Sequence, residues 1–426
     1  MKRPREAIAH FSEDQILEKV SEMTTNTRES GRPWGHVLTP IPLIEELLEQ
    51  IPTSMWTNPA TRWLDPAAGT GNFGAMIYLK LLRTLAQVIP DIGARKKHIL
   101  ENMLYMVELN PLHVASLRHR FGENHVWSGD FLQLSAPQEP FDVILGNPPF
   151  QSLKSLSVYR GSQGKRTAWN AFVKKCLHPD WNRGYLGFIT PSTWRRPDAP
   201  LYPLMTREND LKYLHIYGEK SGRDIFKVQT RFDAYVVATA AAAQQQGAGT
   251  KIIDEKGQVH MDVDPSEWPF IPNYAFDVVR SIMTSNKDGG FHVIFHSHEH
   301  DARRLSANPS EKYCVPVIHT QNRRGLGILY SDRSSIAKKT PKVILNFNRN
   351  LYPYNDYLGE YGLSQLSFGL PLVGTTDEER KAHGESLIAF LLSPMFQQVV
   401  KATKWTSFQT DYRMFRYLSV SQHELK

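Results

Sequence analysis

LDPAAGTGNF, residues 64–73, is the stretch on which the reading of the fold turns. A short apolar run ends at Asp65, and NFGAMIYLKLLRTLAQ then carries apolar residues at helical spacing. Between them, Gly69 and Gly71 let a backbone turn tightly and approach a ligand closely. Asp65, at the strand end, suits a cationic or amino group. In open α/β sheets, ligands bind at the carboxyl ends of the strands where strand order reverses. A Gly-rich strand–turn–helix alone is shared by many nucleotide-binding folds. No GxxxxGK[ST] phosphate loop accompanies it, which argues against an ATPase.

The flanking sequence repeats the alternation. TRWLDP, MLYMVEL, FDVILGN, GYLGFITP, LKYLHIYG and FDAYVVATA read as strands between about residues 60 and 240, with helical patterns between them. This predicts an α/β fold with a doubly wound, mostly parallel, Rossmann-like sheet. Two more acids end strands. Glu108, in YMVELNP, is placed to accept both hydroxyls of a ribose, and Asp130, in SGDF, to accept from a base amino group with Phe131 beside the ring. Any one acid reads equally well as a loop carboxylate or helix cap. Three at successive strand ends point to a ligand.

The fourth strand, FDVILGNPPF, ends in Asn147-Pro148-Pro149-Phe150. Two prolines fix an extended, rigid course. The Asn147 side-chain oxygen and the Pro148 carbonyl can accept the two N–H bonds of an aromatic amine. That draws the nitrogen toward a tetrahedral state and frees its lone pair for attack. Phe150 offers a flat face for a base. A double proline also simply ends strands, and a Phe is often core; the preceding strand-end acids favour the chemical reading.

These motifs together resemble the amino-methyltransferases, and within them the gamma-class adenine methylases of bacterial restriction-modification systems, over roughly residues 33–240. The resemblance implies a methyltransferase sheet, S-adenosyl-L-methionine as cofactor, and methyl transfer to N6 of an adenine flipped out of a specific DNA sequence. It implies a C-terminal target-recognition domain. WGHVLTPIPLIEELL looks like the family's N-terminal motif, which assigns Thr39 to the methionine part of the cofactor. Asp65, Gly69, Gly71, Glu108, Asp130 and Phe131 would complete the cofactor site, and Asn147, Pro148 and Phe150 the catalytic one. DIFKVQTRFDAYVV is similar to the later hairpin that supplies a second aromatic, Phe226 first and Phe232 second; either ring is equally an ordinary core residue. Asn147 in first place implies adenine rather than cytosine. The family more often ends the tetrapeptide in Tyr, so Phe150 departs from it without losing the stacking face.

The chain has 426 residues and a formal charge of +7, with a pI near 9.1, a mild bias toward a polyanionic partner. Cys176 and Cys314, far apart, argue against disulfides or a thiolate metal site. MKRPREAIAHF lacks a secretory apolar stretch, and no run is long enough to span a membrane. The expectation is a cytoplasmic monomer without metal or membrane contact. It would act on double-stranded DNA beside a separate restriction endonuclease, the chain being too short for a fused nuclease. Residues 151–167 form a polar loop carrying Lys154, Arg160, Lys165 and Arg166, placed to close on phosphates. Arg303-Arg304, Arg323-Arg324 and Lys338-Lys339 are further candidate DNA contacts, of which Arg323 and Arg324 are singled out; each pair alone also reads as surface charge. The alternating histidines of HVIFHSHEH fit a half-exposed strand better than a metal site. AAAAQQQGAGT reads as a seam. The expected domains are an N-terminal extension (1–32), a catalytic domain (33–245) and a mixed α+β target-recognition domain (246–426). An RNA guanine-N2 or protein glutamine methyltransferase, which share NPP[YF], and a non-catalytic nucleic-acid-binding subunit are the alternatives.

Overall fold

The computed structural model describes residues 7–25, 38–150, 168–243, 249–295, 304–333, 338–347, 350–406 and 410–419. The chain divides into two compact units, Met1–Trp194 with Pro200–Pro265, and Arg195–Ala199 with Ser266–Lys426.

The first unit is built on nine strands: β1 Trp63–Asp65, β2 Leu104–Glu108, β3 Val126–Ser128, β4 Phe141–Gly146, β5 Asn182–Pro191, β6 Asp210–Tyr217, β7 Phe232–Ala238, β8 Thr250–Ile253 and β9 Val259–Val263. Their spatial order is β3-β2-β1-β4-β5-β7-β6-β8-β9. The first five run parallel, and β7 lies antiparallel between β5 and β6. Parallel neighbours need crossover connections, here supplied by helices that cover both faces. Accordingly β7 is buried along its whole length and β4 nearly so. All six strands read from the sequence are present, in a mostly parallel sheet. Its α-helices are α1 Glu13–Thr25, α2 Ile41–Glu49, α3 Thr53–Thr57, α4 Asn72–Thr84, α5 Ile92–His98, α6 Pro111–Phe121, α7 Ala168–Cys176, α8 Leu201–Thr206, α9 Glu219–Phe226 and α10 Ala240–Ala243.

Two expected boundaries move. Ile8, Ile16 and Val20 are buried in the same core as Leu43 of α2 and Ile77 of α4. The segment from Ile8 to Val20 therefore contributes to the core of the first unit and is not a mere extension. At the other end, β8 pairs parallel with β6 and β9 closes a hairpin on β8. The Gln- and Gly-rich run thus joins strands of one sheet, and the unit ends at Pro265, not near 245. Asp254, Glu255 and Lys256 lie in the turn of that hairpin, with Asp254 Oδ1 accepting from the Lys256 and Gln258 N–H groups.

The second unit is mixed α+β. One sheet joins strands Leu305–Ser306, Val315–Asn322, Gly325–Ser331 and Gly362–Leu363; another joins Lys342–Asn346, Tyr354–Asp356 and Ser367–Pro371. SLIAFLLSPMF straddles two helices, Asp377–Leu392 and Pro394–Ala402, broken where Ser393 caps the second. In HVIFHSHEH the expected strand is reduced to one bridge at Ile294; His296, His298 and His300 lie outside the described residues. Among the described residues, no helix is long and apolar enough to cross a membrane and no His, Cys, Asp or Glu cluster could hold a metal ion.

Candidate active site

Strand order reverses at β1, which has β2 on one side and β4 on the other. The carboxyl ends of these strands open into a cavity with about 970 Å³ of empty space, counting its mouth. Thr39, Asp65, Gly69, Glu108, Asp130, Phe131, Asn147, Pro148 and Phe150 all line it. Nine of the eleven residues assigned from the sequence to cofactor or chemistry are thereby brought together from across the first 150 positions.

Each acid has a definite setting. Asp65 is 1 % exposed, and its Oδ1 accepts from the Ala67 N–H at 3.1 Å. Its carboxyl is pushed up to about 8, first by burial and also by the neighbouring Glu108, while the Ala67 N–H works the other way. An acid so placed holds its proton in the absence of a cation and releases it to solvent when an ammonium group binds beside it. Glu108 Oε2 accepts from the Gly69 N–H at 2.8 Å and Oε1 from the Asn110 N–H at 2.7 Å. That pair of bonds fixes the carboxylate plane across the Gly-rich turn. A carboxylate has about four lone-pair sites, so acceptor capacity remains. Asp130 caps a short 3-10 turn, Oδ1 accepting from the Leu132 N–H at 3.0 Å, and Lys175 pins that turn by donating to the Phe131 and Leu134 carbonyls. The helix-cap reading of Asp130 and its place in the cavity wall thus hold together. Buried carboxyls, a turn with Gly69 at φ 56° and an aromatic wall fit a ligand bearing an amino group, a ribose and a flat base.

The tetrapeptide carries the most informative feature. Asn147 Nδ2 donates to Thr39 Oγ1 at 3.0 Å. Its Oδ1 is buried and has no hydrogen-bond partner. A buried amide oxygen left unpaired costs about 1–3 kcal/mol, so an acceptor held this way awaits a donor. Thr39 is 4 % exposed, and its carbonyl also takes a long bond, 3.4 Å, from Asn72 Nδ2. Asn72, within GTGNF, was missed in the sequence, where it reads only as the first residue of a helix.

Two assignments change. Gly71 does not line the cavity. It sits at φ 89° at the start of α4, and a Cβ there would meet Leu117 Cδ2 at 2.7 Å and Phe121 Cε2 at 2.9 Å. Its role is the close packing of α4 on α6. Phe226 is 2 % exposed and ends a helix, α9, where a hairpin strand was expected. Its ring meets Phe150 edge-to-face at 5.8 Å and Phe232 at 4.8 Å, and Phe232 stacks on Tyr217. Both candidates for the second stacking face are therefore core rings, of which Phe226 buttresses Phe150. Arg323 and Arg324 are exposed in the turn between the strands Val315–Asn322 and Gly325–Ser331. Lys154, Arg160, Lys165 and Arg166 lie outside the described residues.

The strand order, the cavity at its switch point and the acids at three strand ends define a Rossmann-like α/β fold with a ligand site at the carboxyl ends of its strands. Residues 91–226 match the family model for the Eco57I restriction-modification methylase. An uncharacterized adenine-specific methylase of Mycoplasma pneumoniae (strain ATCC 29342 / M129 / Subtype 1) is 23% identical over 265 residues, 42% of this chain and 61% of its own length. The chain thus spans about three fifths of that relative. A type II methyltransferase of Thermus thermophilus is 25% identical over 352 residues, 75% of this chain and 73% of its own. Among solved structures, the ATP-dependent Type ISP restriction-modification enzyme LlaBIII bound to DNA aligns with 93% of this chain and 40% of its own at a TM-score of 0.55 and 10% identity. The Type IIL restriction-modification enzyme MmeI in complex with DNA aligns with 95% of this chain and 65% of its own at 0.51 and 11%. At such identities the likeness is one of fold.

Proposed function

We propose that this chain transfers a methyl group from S-adenosyl-L-methionine to the exocyclic N6 of an adenine flipped out of a specific DNA sequence. The carrying observation is the buried, unpaired Asn147 Oδ1, oriented through Nδ2 by Thr39. When bound, the cofactor supplies an electrophilic methyl group. The chain's own residues do the rest. Asp65 holds the amino group of the methionine part, and Glu108 the ribose hydroxyls. Asn147 Oδ1 accepts one N–H of the target amine and the Pro148 carbonyl the other, which releases the nitrogen lone pair toward the methyl group. Phe150 stacks on the base, braced from behind by Phe226. Asn147 at the head of the tetrapeptide favours adenine. The second unit selects the sequence, with Arg323 and Arg324 among its phosphate contacts.

The test incubates the protein with labelled cofactor and genomic DNA and analyses the digested product by mass spectrometry. N6-methyladenine is expected. Asn147→Ala should lower turnover by about 100-fold or more while leaving cofactor affinity intact, because the lost contact belongs to the transition state. N4-methylcytosine as product, or unchanged turnover in the variant, would sink the assignment.

A further inference from the structure

The second unit holds a cavity of its own, with about 730 Å³ of empty space counting its mouth. Its polar wall is unusual in charge. Arg413 Nε donates to Asp411 Oδ1 at 2.8 Å and a second guanidinium nitrogen reaches the other carboxylate oxygen, so one acid and one base pair off side by side. Arg196, in the same wall, has a buried Nε without a hydrogen-bond partner. Burial and the nearby Arg413 both work against its charge. Arg413 faces Asp411 and, at longer range, Asp198, whereas Arg196 sees Asp411 only across that existing pair and lies partly out of water. Aromatic rings also line the cavity. Phe295, Phe347 and Tyr412 all line the cavity, each partly exposed. Their ring centroids lie 4.3 Å (Phe295–Tyr412) and 5.7 Å (Phe347–Tyr412) apart.

A half-buried unpaired guanidinium calls for an anion with several acceptor oxygens, and partly exposed rings call for a flat apolar partner. One ligand class combines both. We propose that this cavity binds a nucleotide, its phosphate on Arg196 and the outer edge of Arg413, its base against Phe347 and Tyr412. The inference rests on the methylase reading in one respect only: that reading makes a nucleotide of the DNA substrate the expected source, with a free mononucleotide as the other. Asp411 sets the geometry by holding the Arg413 fork from one side, so that the remaining N–H groups point away from the carboxylate.

The experiment uses the full chain, as wild type and as Arg196→Gln, Arg413→Gln and Phe347→Leu. Each is titrated against fluorescent genomic duplexes at several salt concentrations and against AMP and GMP by calorimetry. Melting temperature and S-adenosylmethionine affinity, a property of the first unit, control for folding. If the source is DNA, Arg196→Gln should weaken duplex binding roughly 10- to 100-fold and lower the log–log salt slope by about one. Phe347→Leu, which leaves the charges alone, should weaken binding without changing that slope. If the source is a free nucleotide, wild type should bind AMP or GMP saturably and the variants should lose that binding with duplex affinity unchanged. Folded variants that match wild type in both titrations overturn the proposal. Wild-type protein that binds duplex through Arg196 but transfers no methyl group would overturn the methylase reading and leave the cavity standing.

Discussion

Thr39 touches two things that no other cavity residue joins, the Asn147 amide through its hydroxyl and Asn72 through its carbonyl. Without the hydroxyl, Asn147 Nδ2 loses its only anchor among the described residues and the amide is free to rotate. Thr39→Val should therefore lower kcat roughly tenfold, the worth of one neutral hydrogen bond, with KM for the cofactor unchanged. Thr39→Ser should restore it. A rise in cofactor KM with kcat intact would return Thr39 to a purely cofactor-binding role. Asp65 supplies a prediction in pH. Its folded value, about 8, lies far above the ordinary carboxylate range, so between about pH 4 and pH 8 the ligand-free native state holds one more proton than the unfolded chain. Stability must then fall as pH rises across that window, by at most about 1.4 kcal/mol per pH unit. Asp65→Asn should flatten that slope and raise the melting temperature at pH 8 while removing cofactor binding. Cofactor binding to wild type at pH 7 should release close to one proton, read from calorimetry in buffers of different ionisation heat; no release would mean Asp65 is ionised before the ligand arrives. The sequence made the identity of these residues legible because strand ends in an α/β sheet converge. It did not make the Thr39–Asn147 bond legible, because that bond spans 108 positions and depends on how α2 docks.

The strands of the first unit were legible because a parallel sheet buried on both faces writes near-continuous apolar runs. The Gly-rich turn was legible as a turn, but the division of labour within it was not. Gly69 lines the cavity and offers its N–H to Glu108, whereas Gly71 faces α6. Only the packing partners, Leu117 and Phe121, separate the two. Gly71→Ala should consequently destabilise the protein by roughly 1–3 kcal/mol, from the left-handed backbone and the overpacked contact together. Urea titration would measure it, and cofactor affinity measured well below the transition should change little. A large loss of affinity in a fully folded variant would restore Gly71 to the ligand site. The segment before β7 was misread for a related reason. EKSGRDIF has charged and small residues that tolerate either state, and tertiary placement made it a helix, α9, whose last residue buries Phe226. A short amphipathic segment of eight residues carries too few periods to distinguish the two.

The division of the chain into two units was also expected, but at the wrong place. Composition marks AAAAQQQGAGT because small and polar residues write no apolar period, and a connection between strands of one sheet has the same composition as a linker between domains. What the composition could not convey is that β8 places Ile252, fully buried, beside Leu214 of β6. A chain ending near residue 245 would strip β8 and β9 and leave the edge of β6 without backbone partners, a template for aggregation. A chain ending after Pro265 keeps the sheet whole. Its one defect is the five residues Arg195–Ala199, which belong to the second unit; Arg195, fully buried there, would lose its bonds to the Ile271 and Pro272 carbonyls and to Asn273. The expected outcome is that the 1–265 chain folds and binds S-adenosylmethionine. The 1–245 chain should melt lower by roughly 5 °C or more, as a loss of about 2 kcal/mol predicts for a unit of this size, and precipitate sooner. Sequence-specific DNA binding should be lost from both. Scanning calorimetry and cofactor titration of the two chains side by side decide the point. Equal melting temperatures and equal affinities would mean that β8 and β9 are dispensable to the sheet and that the first unit does end where the composition changes. Full sequence preference in the 1–265 chain would move DNA recognition into the first unit.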